Sequence, residues 1–155
     1  MTKEKKHIIS IRNKRASFEY FFLQTYIAGM QLYGTEIKSI RAGKANLTDA
    51  YCSFVGDELW VNELHIAEYR FGSYYNHEAK RSRKLLLNRN ELKKLEGKTK
   101  EKGLTIIPTH LFVDSRGYAK LEIALAKGKH SYDKRETIKQ NESKRELARV
   151  IKEQY

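Results

Sequence analysis

The stretch that decides the fold is residues 84–126, KLLLNRNELKKLEGKTKEKGLTIIPTHLFVDSRGYAKLEIALA. It opens with a leucine run, and Asn88 and Glu91 then stand three residues apart, which is the spacing of a helix capping box. Apolar residues recur at helical spacing as far as Gly97, which predicts the end of the helix, and residues 98–102 form one more turn before Gly103 in the alternative interpretation. We therefore expect one substantial helix just before the last strands of the fold.

The second half of this stretch predicts a β-hairpin. Leu104–Val113 and Tyr118–Ala126 are rich in branched and aromatic residues, and the residues between them, Asp114-Ser115-Arg116-Gly117, form a favourable turn sequence. Pro108, the only proline of the chain, lies inside the first of these strands, which predicts a bulge or a sheet edge there. Beyond Ala126 the β pattern ends and a polar, basic segment begins.

Upstream, the sequence predicts a long strand and another hairpin. Aromatic and branched side chains favour a strand over residues 18–32, with a bend or bulge at Ala28-Gly29. Residues 49–55 and 59–66 predict a hairpin that turns at Gly56-Asp57.

A short helix is predicted at residues 35–42, with Thr35 as its N-cap and Gly43 just past its C-terminus. A longer helix between the third and fourth strands is the arrangement of the oligonucleotide-binding (OB) barrel. We therefore predict a mainly β fold with about three helices, in which residues 13–126 form a small closed OB-like β-barrel. A basic arm of residues 1–12 precedes it, and a basic tail of residues 127–155 follows.

The chain is strongly basic, and its charge is segregated. Its 155 residues include 31 Lys and Arg against 19 Asp and Glu, for a formal net charge of +12. The excess lies in residues 1–15, 80–102 and 127–155. Such blocks favour a polyanionic partner, above all nucleic acid. An anionic membrane surface is the alternative, and it is disfavoured because no basic block accompanies a strongly apolar helical face.

No motif of a common enzyme class is present. The sequence has no P-loop, no dinucleotide-binding glycine motif and no nucleophile elbow. Its five histidines lack metal-ligand spacing and Cys52 is the only cysteine, so we expect no metal, no other cofactor and no internal disulfide. These features predict a non-enzymatic, cytoplasmic protein without a membrane segment or a small-molecule substrate. An RNA-processing enzyme whose site assembles only in three dimensions is the alternative.

The first basic tract lies on the short helix and just past its end. Lys38 and Arg41 lie one helical turn apart and Lys44 comes just past the cap, so the three are spaced to meet phosphates together. A short amphipathic helix with a solvated basic face is the alternative interpretation.

The second basic tract precedes the longer helix. Arg81, Arg83 and Lys84 lead into the helix start at Asn88, where free backbone N–H groups also favour anions. The alternative is a basic loop before a core leucine run. A third tract, residues 126–135, lies where the predicted barrel gives way to the tail.

Together these motifs resemble those of the small protein B family, also called SsrA-binding proteins. The resemblance covers about residues 13–140 in order and includes Asn13-Lys14-Arg15-Ala16 and Gly34–Asn46. It implies an OB-like barrel that binds the tRNA-like domain of tmRNA and brings it, with elongation factor Tu, to stalled ribosomes. It also implies a tail that is disordered when free and helical on the ribosome, where it occupies the empty mRNA channel beside small-subunit rRNA and the decoding centre.

The same resemblance assigns site residues. The family's tmRNA-contacting leucine and asparagine fall on Leu86 and Asn88, and the residue that stacks on a base in the decoding centre falls on Tyr132. The positions assigned to RNA binding are Lys14, Arg15, Lys38, Arg41, Lys44, Asn46, Arg81, Arg83, Lys84, Leu86 and Asn88. The positions of the ribosome-binding tail are Lys127, Lys129, Tyr132, Asp133, Lys134, Arg135, Lys139, Arg145, Arg149 and Lys152.

One position departs from the family pattern. Where the family often has a glutamate implicated in tmRNA binding, this chain has Ile27, which cannot accept a hydrogen bond. That contact is therefore absent or made by another residue. A generic single-strand-binding or ribosomal protein on the same barrel is the alternative function, and it would need exposed aromatic residues along the barrel groove.

Overall fold

The computed structural model describes residues 9–69, 76–101 and 103–129, together with residues 135, 138–140, 142, 143, 145 and 146. No helix in these parts of the chain is long and apolar enough to cross a membrane. In chain order the elements are β1 (Ser10–Arg12), α1 (Lys14–Glu19), β2 (Tyr20–Met30), α2 (Gly34–Arg41), β3 (Ala45–Asn46), β4 (Tyr51–Val55), β5 (Glu58–Asn62), β6 (His65–Ile66), β7 (Arg83–Leu86), α3 (Arg89–Thr99), β8 (Leu104–Val113) and β9 (Ala119–Gly128).

Seven strands form one antiparallel sheet whose hydrogen bonds close into a ring. The strand order β8-β4-β5-β7-β2-β9 returns to β8 because β8 and β9 also pair with each other, and β1 pairs with β8 as well. Strands β3 and β6 form a separate two-stranded pair. The prediction of a mainly β fold with helices is confirmed at this level.

The hydrophobic core is formed by alternate residues of the ring strands. Leu59 and Val61 of β5, like Leu121 and Ile123 of β9, have no exposed surface, whereas the residues between them are partly exposed. This is the period of two expected when one face of a sheet packs and the other meets solvent. Helices α2 and α3 add residues such as Leu95 to the same core.

The β8–β9 hairpin is confirmed. Asp114 closes its turn, since Oδ1 accepts hydrogen bonds from the backbone N–H groups of Arg116 and Tyr118, both at 2.9 Å. The predicted bulge at Pro108 is confirmed by a register shift between Pro108 and His110. The β4–β5 hairpin also turns at Gly56, as predicted, with the backbone in the left-handed region at φ 61°.

Helix α3 begins as predicted and extends past Gly97. Its N-cap is Asn88, whose Oδ1 accepts the Glu91 N–H at 2.9 Å. The helix does not stop at Gly97 but continues to Thr99, within the additional turn at residues 98–102 that the sequence also allowed. An interior glycine costs about 1 kcal/mol, and the fully buried Leu95 holds this turn against the core.

The predicted N-terminal arm is wrong for residues 10–12, which form β1. Helix α1, which was not predicted, follows directly. Its N-cap Asn13 is buried, accepts the Ala16 N–H, and donates to the carbonyl oxygens of Leu47 at 3.2 Å and Pro108 at 2.9 Å. A short polar side chain with three internal partners therefore links this segment to the loop after β3 and to strand β8. Residues 1–8 lie outside the described part of the chain.

Strand β2 bulges at a different place than predicted. The register shift lies between Phe22 and Gln24, whereas Ala28 and Gly29 pair regularly with β9. Gly29 has a packing role instead, since a Cβ built there would stand 3.3 Å from Cβ of Leu86 on β7.

Helix α2 starts one residue earlier than predicted, and Thr35 is not its N-cap. The cap position is Tyr33, because the Glu36 side chain reaches back to accept the Tyr33 N–H at 2.8 Å. The Thr35 hydroxyl is instead 2.9 Å from Nδ1 of His77. Gly43 follows the helix at φ 75°, which confirms its predicted position.

Candidate nucleic-acid interface

Two of the predicted basic tracts meet in space through a buried charge cluster. Glu36 of α2 and Arg83 of β7, 47 residues apart in sequence, form an ion pair with no exposed side-chain surface. The other carboxylate oxygen of Glu36 accepts a hydrogen bond from Arg81 at 2.6 Å. This cluster fixes α2 against the strand that carries the second tract.

The prediction that Arg83 contacts RNA is wrong. Its guanidinium is fully buried and also donates to the carbonyl oxygens of Leu64 at 2.6 Å and Ala79 at 3.1 Å. The reason is strand alternation: in β7, Arg83 and Leu85 are buried, while Lys84 is partly exposed and Leu86 is exposed. A charged residue on the inner face must have an internal partner, and Glu36 is that partner.

The cluster remains charged at neutral pH. Burial alone would raise the pKa of Glu36, but hydrogen bonds from Arg81, the Tyr33 N–H and Arg83 outweigh it and hold the pKa of this carboxyl below its usual value. Arginine stays protonated in proteins. The two elements are therefore joined by an ion pair that is at full strength above the titration range of carboxyl groups.

The exposed residues of α2 and β7 adjoin one another at Leu86, which lines both a recess beside Arg41 and a groove beside Lys84 and Asn88. Arg41 of α2 and Leu86 of β7 line the same recess, and Leu86 is 46% exposed. The Arg41 guanidinium donates to the Gly117 carbonyl at 2.8 Å, which ties α2 to the β8–β9 turn.

Lys38 lies 5.5 Å from the centre of the Tyr69 ring. Lys84 on β7 stands 3.5 Å from Glu58. We call this surface, formed by Lys38, Arg41, Lys84, Leu86 and Asn88, the α2–β7 face.

Arg81 is engaged mainly by the protein itself. Besides its bond to Glu36, its guanidinium lies 4.2 Å from the centre of the Tyr33 ring, and its side chain is 26% exposed. We therefore place Arg81 at the edge of the α2–β7 face as a support for Glu36.

A groove of about 730 Å³ runs beside the β7–α3 junction. It is lined by Leu86, by Asn88, whose side chain caps α3, and by Ile27, which is 50% exposed. Where the family pattern has a glutamate, the groove thus presents an apolar side chain. Carboxylates are nevertheless present among the lining residues, at Asp57, Glu58, Glu91 and Glu96.

The remaining predicted RNA contacts lie around α1 and β3. Lys14 and Arg15 are exposed at the start of α1, and Arg15 pairs with Glu19 at 3.0 Å and Asp49 at 3.7 Å. Asn46 is exposed, but its Oδ1 already accepts the N–H and the hydroxyl of Thr48. Lys44 is exposed just past α2. The predicted set is therefore distributed over more than one region.

The root of the predicted tail is bound to the folded part of the chain. Lys127 lies within β9, opposite Phe21. The Lys129 N–H donates to the Glu19 carbonyl at 2.8 Å, and its ammonium donates to the Ser17 carbonyl at 3.2 Å. Both carbonyls belong to the end of α1, so Lys129 caps that helix at the end that favours cations.

Further along the tail, the described residues are helical and exposed, including Arg135, Lys139 and Arg145. Tyr132, Asp133, Lys134, Arg149 and Lys152 lie outside the described residues.

Within the described ranges, no three His, Cys, Asp or Glu side chains are placed to share a metal ion. His77 is nearly buried and bonds to Thr35 and to the Ile66 carbonyl, so its role is structural. Cys52 is buried, and burial raises the pKa of its thiol, which keeps the sulfur in its unreactive form.

The strands form an antiparallel ring, and a buried ion pair joins the helix and the strand that carry exposed cations. This combination is typical of the class of basic nucleic-acid-binding proteins. Comparison with known proteins narrows this class. A model of the family described as SmpB protein matches residues 10–153. This chain belongs to the SmpB family.

Individual relatives are similar over nearly their whole length. An SsrA-binding protein of Phocaeicola vulgatus is 60% identical over 144 residues, which are 93% of this chain and 96% of the relative. An SsrA-binding protein of Bacteroides thetaiotaomicron is 55% identical over the same shares. A solved chain from "tmRNA-SmpB: a journey to the center of the bacterial ribosome" has a TM-score of 0.67 and 46% identity, covering 79% of this chain and 85% of that chain.

Sequence reasoning missed two features of this interface. Strand β7 was not predicted, because a four-residue segment with two cations carries little strand signal. The tyrosines at positions 33 and 118 were not considered as site residues, although these residues are 56% and 64% exposed. Their positions beside a helix start and a hairpin turn were the available signal, since function concentrates at such loops.

Proposed function

We propose that this chain is a non-enzymatic tmRNA-binding protein of trans-translation. It binds the tRNA-like domain of tmRNA, which is SsrA RNA, and delivers it to ribosomes that have stalled without a stop codon. Elongation factor Tu acts on the same tmRNA, and the site of action is the cytoplasm. The observation that carries the proposal is the convergence of Arg41 and Leu86, from two distant tracts, on one exposed recess. The description of the relatives as SsrA-binding proteins supports the same RNA.

The hydrogen-bonded ring is, in this proposal, a small OB-like barrel. The closed order of six strands supports it, as does the position of α3 between β7 and β8. Folds of this kind present one face and its connecting loops to nucleic acid. The α2–β7 face is such a surface.

The face suits a folded RNA. Lys38, Arg41 and Lys84 contact phosphates, which position the RNA but do not read its sequence. Since these cations sit on a helix and a strand that Glu36 and Arg83 lock together, their spacing is rigid. A rigid set of phosphate contacts selects RNA by shape, which is the usual basis for recognition of helical RNA. Leu86 and Asn88 add contacts at the centre of the face.

The tail, in the same proposal, serves the ribosome. Its basic residues follow small-subunit rRNA along the empty mRNA channel, and Tyr132 stacks on a base in the decoding centre. The described tail residues are exposed, as a segment that binds a separate partner requires. The division into an arm, a folded part and a tail is kept in this proposal, with the folded part extended to include β1 at its start and the end of β9 at its end.

A binding competition tests the proposal. Labelled tRNA-like domain should bind the full chain, and excess unlabelled single-stranded RNA of equal length should compete poorly. Replacement of Lys38 and Lys84 by alanine should weaken binding and flatten its salt dependence by about one unit per lost contact. Arg12→Ala and Lys100→Ala, which remove the same charge at exposed positions outside the recess and the groove, serve as the matched control. Equal competition by unstructured RNA would contradict the proposal.

The second candidate function is a generic single-strand-binding protein. It is favoured by one observation, the exposed aromatic rings of Phe21, Phe22, Tyr33, Tyr51 and Tyr118. Stacking on such rings tolerates any sequence. The same competition decides between the two functions, because a single-strand binder would prefer the unstructured competitor.

A further inference from the structure

A recess of about 330 Å³ lies where the end of β2, the start of α2 and the β8–β9 turn meet. Aliphatic side chains, among them Ile37 and Leu86, form much of its lining. The tyrosines at positions 33 and 118 also line it, and each of these residues is more than half exposed to solvent. The recess therefore offers flat aromatic surface and apolar contact at one point.

The recess is held open by a specific contact. Arg41 donates to the Gly117 carbonyl, and a Cβ built on Gly117, whose φ is 87°, would lie 3.1 Å from Nη2 of Arg41. The helix and the turn thus approach as closely as a residue without a side chain permits. Because both walls are fixed by this contact, the recess is formed before any ligand arrives.

The charge of the recess selects its occupant. Arg41 and Lys120 are among the residues that line it, and none of the described lining residues carries a carboxylate. The neighbouring groove beside α3 differs, since four carboxylates line it. A flat apolar group attached to a phosphate matches both properties of the recess, and an unstacked nucleotide of RNA is such a group.

We propose that this recess receives one unstacked base of the bound RNA, with the ring of Tyr118 stacked on the base and Arg41 and Lys120 facing the adjoining phosphates. The proposal rests on the proposed function and extends it, since Leu86 belongs both to the α2–β7 face and to the lining of the recess. It assigns Tyr118 the role of a specificity residue, because only an RNA that presents an unpaired base at this point can fill the recess.

The test uses the full chain and transcripts of the tRNA-like domain in which 2-aminopurine replaces one loop adenine at a time. With the wild-type chain, one label should lose fluorescence on binding, because stacking on an aromatic ring quenches it. Tyr118→Ala should abolish that quench and weaken binding roughly 5- to 150-fold, the range expected for one lost base stack. Tyr118→Phe should retain both, since the ring is kept.

Tyr51→Ala is the matched control, because Tyr51 is a 48% exposed aromatic residue on β4 that does not line the recess. A melting curve for each variant excludes unfolding. If Tyr118→Ala binds within twofold of wild type with an unchanged quench pattern, the recess proposal fails and the proposed function stands. If the wild-type chain does not bind the transcript, both fail.

Discussion

Arg83 and Lys84 are adjacent in sequence and opposite in role. Both belong to one basic tract, and composition alone gives no reason to separate them. The structure separates them by strand alternation, which turns Arg83 toward Glu36 and Lys84 toward solvent. The partner that makes the inward position tolerable lies 47 residues away. A local pattern cannot reveal such a partner, and this is why the sequence predicted which segments are basic better than which of their cations are exposed.

Alanine substitutions at these two positions should therefore have different effects, one on stability and the other on RNA binding. Arg83→Ala leaves Glu36 buried without its main partner, and loss of one member of a buried ion pair costs about 3–5 kcal/mol of unfolding free energy. Lys84→Ala should leave the unfolding free energy within about 0.5 kcal/mol and reduce the salt dependence of RNA binding by about one unit. Urea unfolding and RNA titrations at two salt concentrations measure the two effects. A large stability loss in Lys84→Ala would show that the assignment of the two roles is reversed.

Glu36 should also make the stability depend on pH. Its pKa in the folded chain is lowered, so its contribution is fully present above the unfolded value of about 4.3 and is lost as the pH falls through the folded value. Glu36→Gln should be less stable than wild type by about 3–5 kcal/mol at pH 7, and the difference should shrink below pH 4. Unfolding experiments at pH 7 and pH 3.5 measure it. The control, Glu58→Gln at a half-exposed carboxylate, should have nearly the unfolding free energy of wild type at either pH. If the stability loss of Glu36→Gln does not change with pH, Glu36 is not the source of the pH dependence.

At the scale of elements, the sequence predicted the presence of α2, α3 and the β8–β9 hairpin better than the residues at which the helices begin and end. The capping residue of α3 and the turn of the β8–β9 hairpin were correct because each depends on side chains two to four residues apart. The start of α2 was wrong because Glu36, which reaches back to Tyr33, was not recognised as a capping residue. Helix α3 continues past Gly97 because burial of Leu95 outweighs the local effect of that glycine. Tertiary contacts decided where local signals were weak.

Asn88 allows a test that separates an element's stability from its contact with RNA. Asn88→Ala should cost about 1 kcal/mol of unfolding free energy through loss of the α3 cap. Asn88→Ser retains a capping oxygen but removes the amide, so it should keep most of the stability. If Asn88 contacts RNA directly, both variants should lose affinity. If the serine variant binds as tightly as wild type, the amide is not an RNA contact and Asn88 acts only by placing α3.

At the scale of the whole molecule, a closed β arrangement was predicted from the order of hairpins and helices, but the strand pairings that close the ring were not. Closure depends on β7 and on the pairing of β2 with β9, and no local sequence pattern predicts either of them. The candidate site was likewise predicted only in part. The cations of α2 and β7 were found by their charge, whereas the recess between them exists only after the chain has folded.

The tail should be separable from RNA binding. Truncation after Lys129 preserves the contacts of Lys129 with the end of α1, so the folded part should keep its melting temperature. We expect affinity for the tRNA-like domain to remain within about twofold, because the α2–β7 face is intact, and peptide tagging on stalled ribosomes to be lost. Tyr132→Ala should show a partial form of this defect, equivalent to one base stack of about 1–3 kcal/mol. Full tagging by the truncated chain would remove the tail from the mechanism.

The ring of strands also has a consequence for how the protein is made. Strand β9 pairs with both β2 and β8, and its last residue, Gly128, pairs with Tyr20 at the start of β2. The ring therefore cannot close until almost the whole folded part has left the ribosome. Pairing over so long a separation is intrinsically slow. A nascent copy interrupted before β9 would leave β2 and β8 with open edges, which are templates for aggregation. Solubility of this protein therefore depends on completion of its own translation.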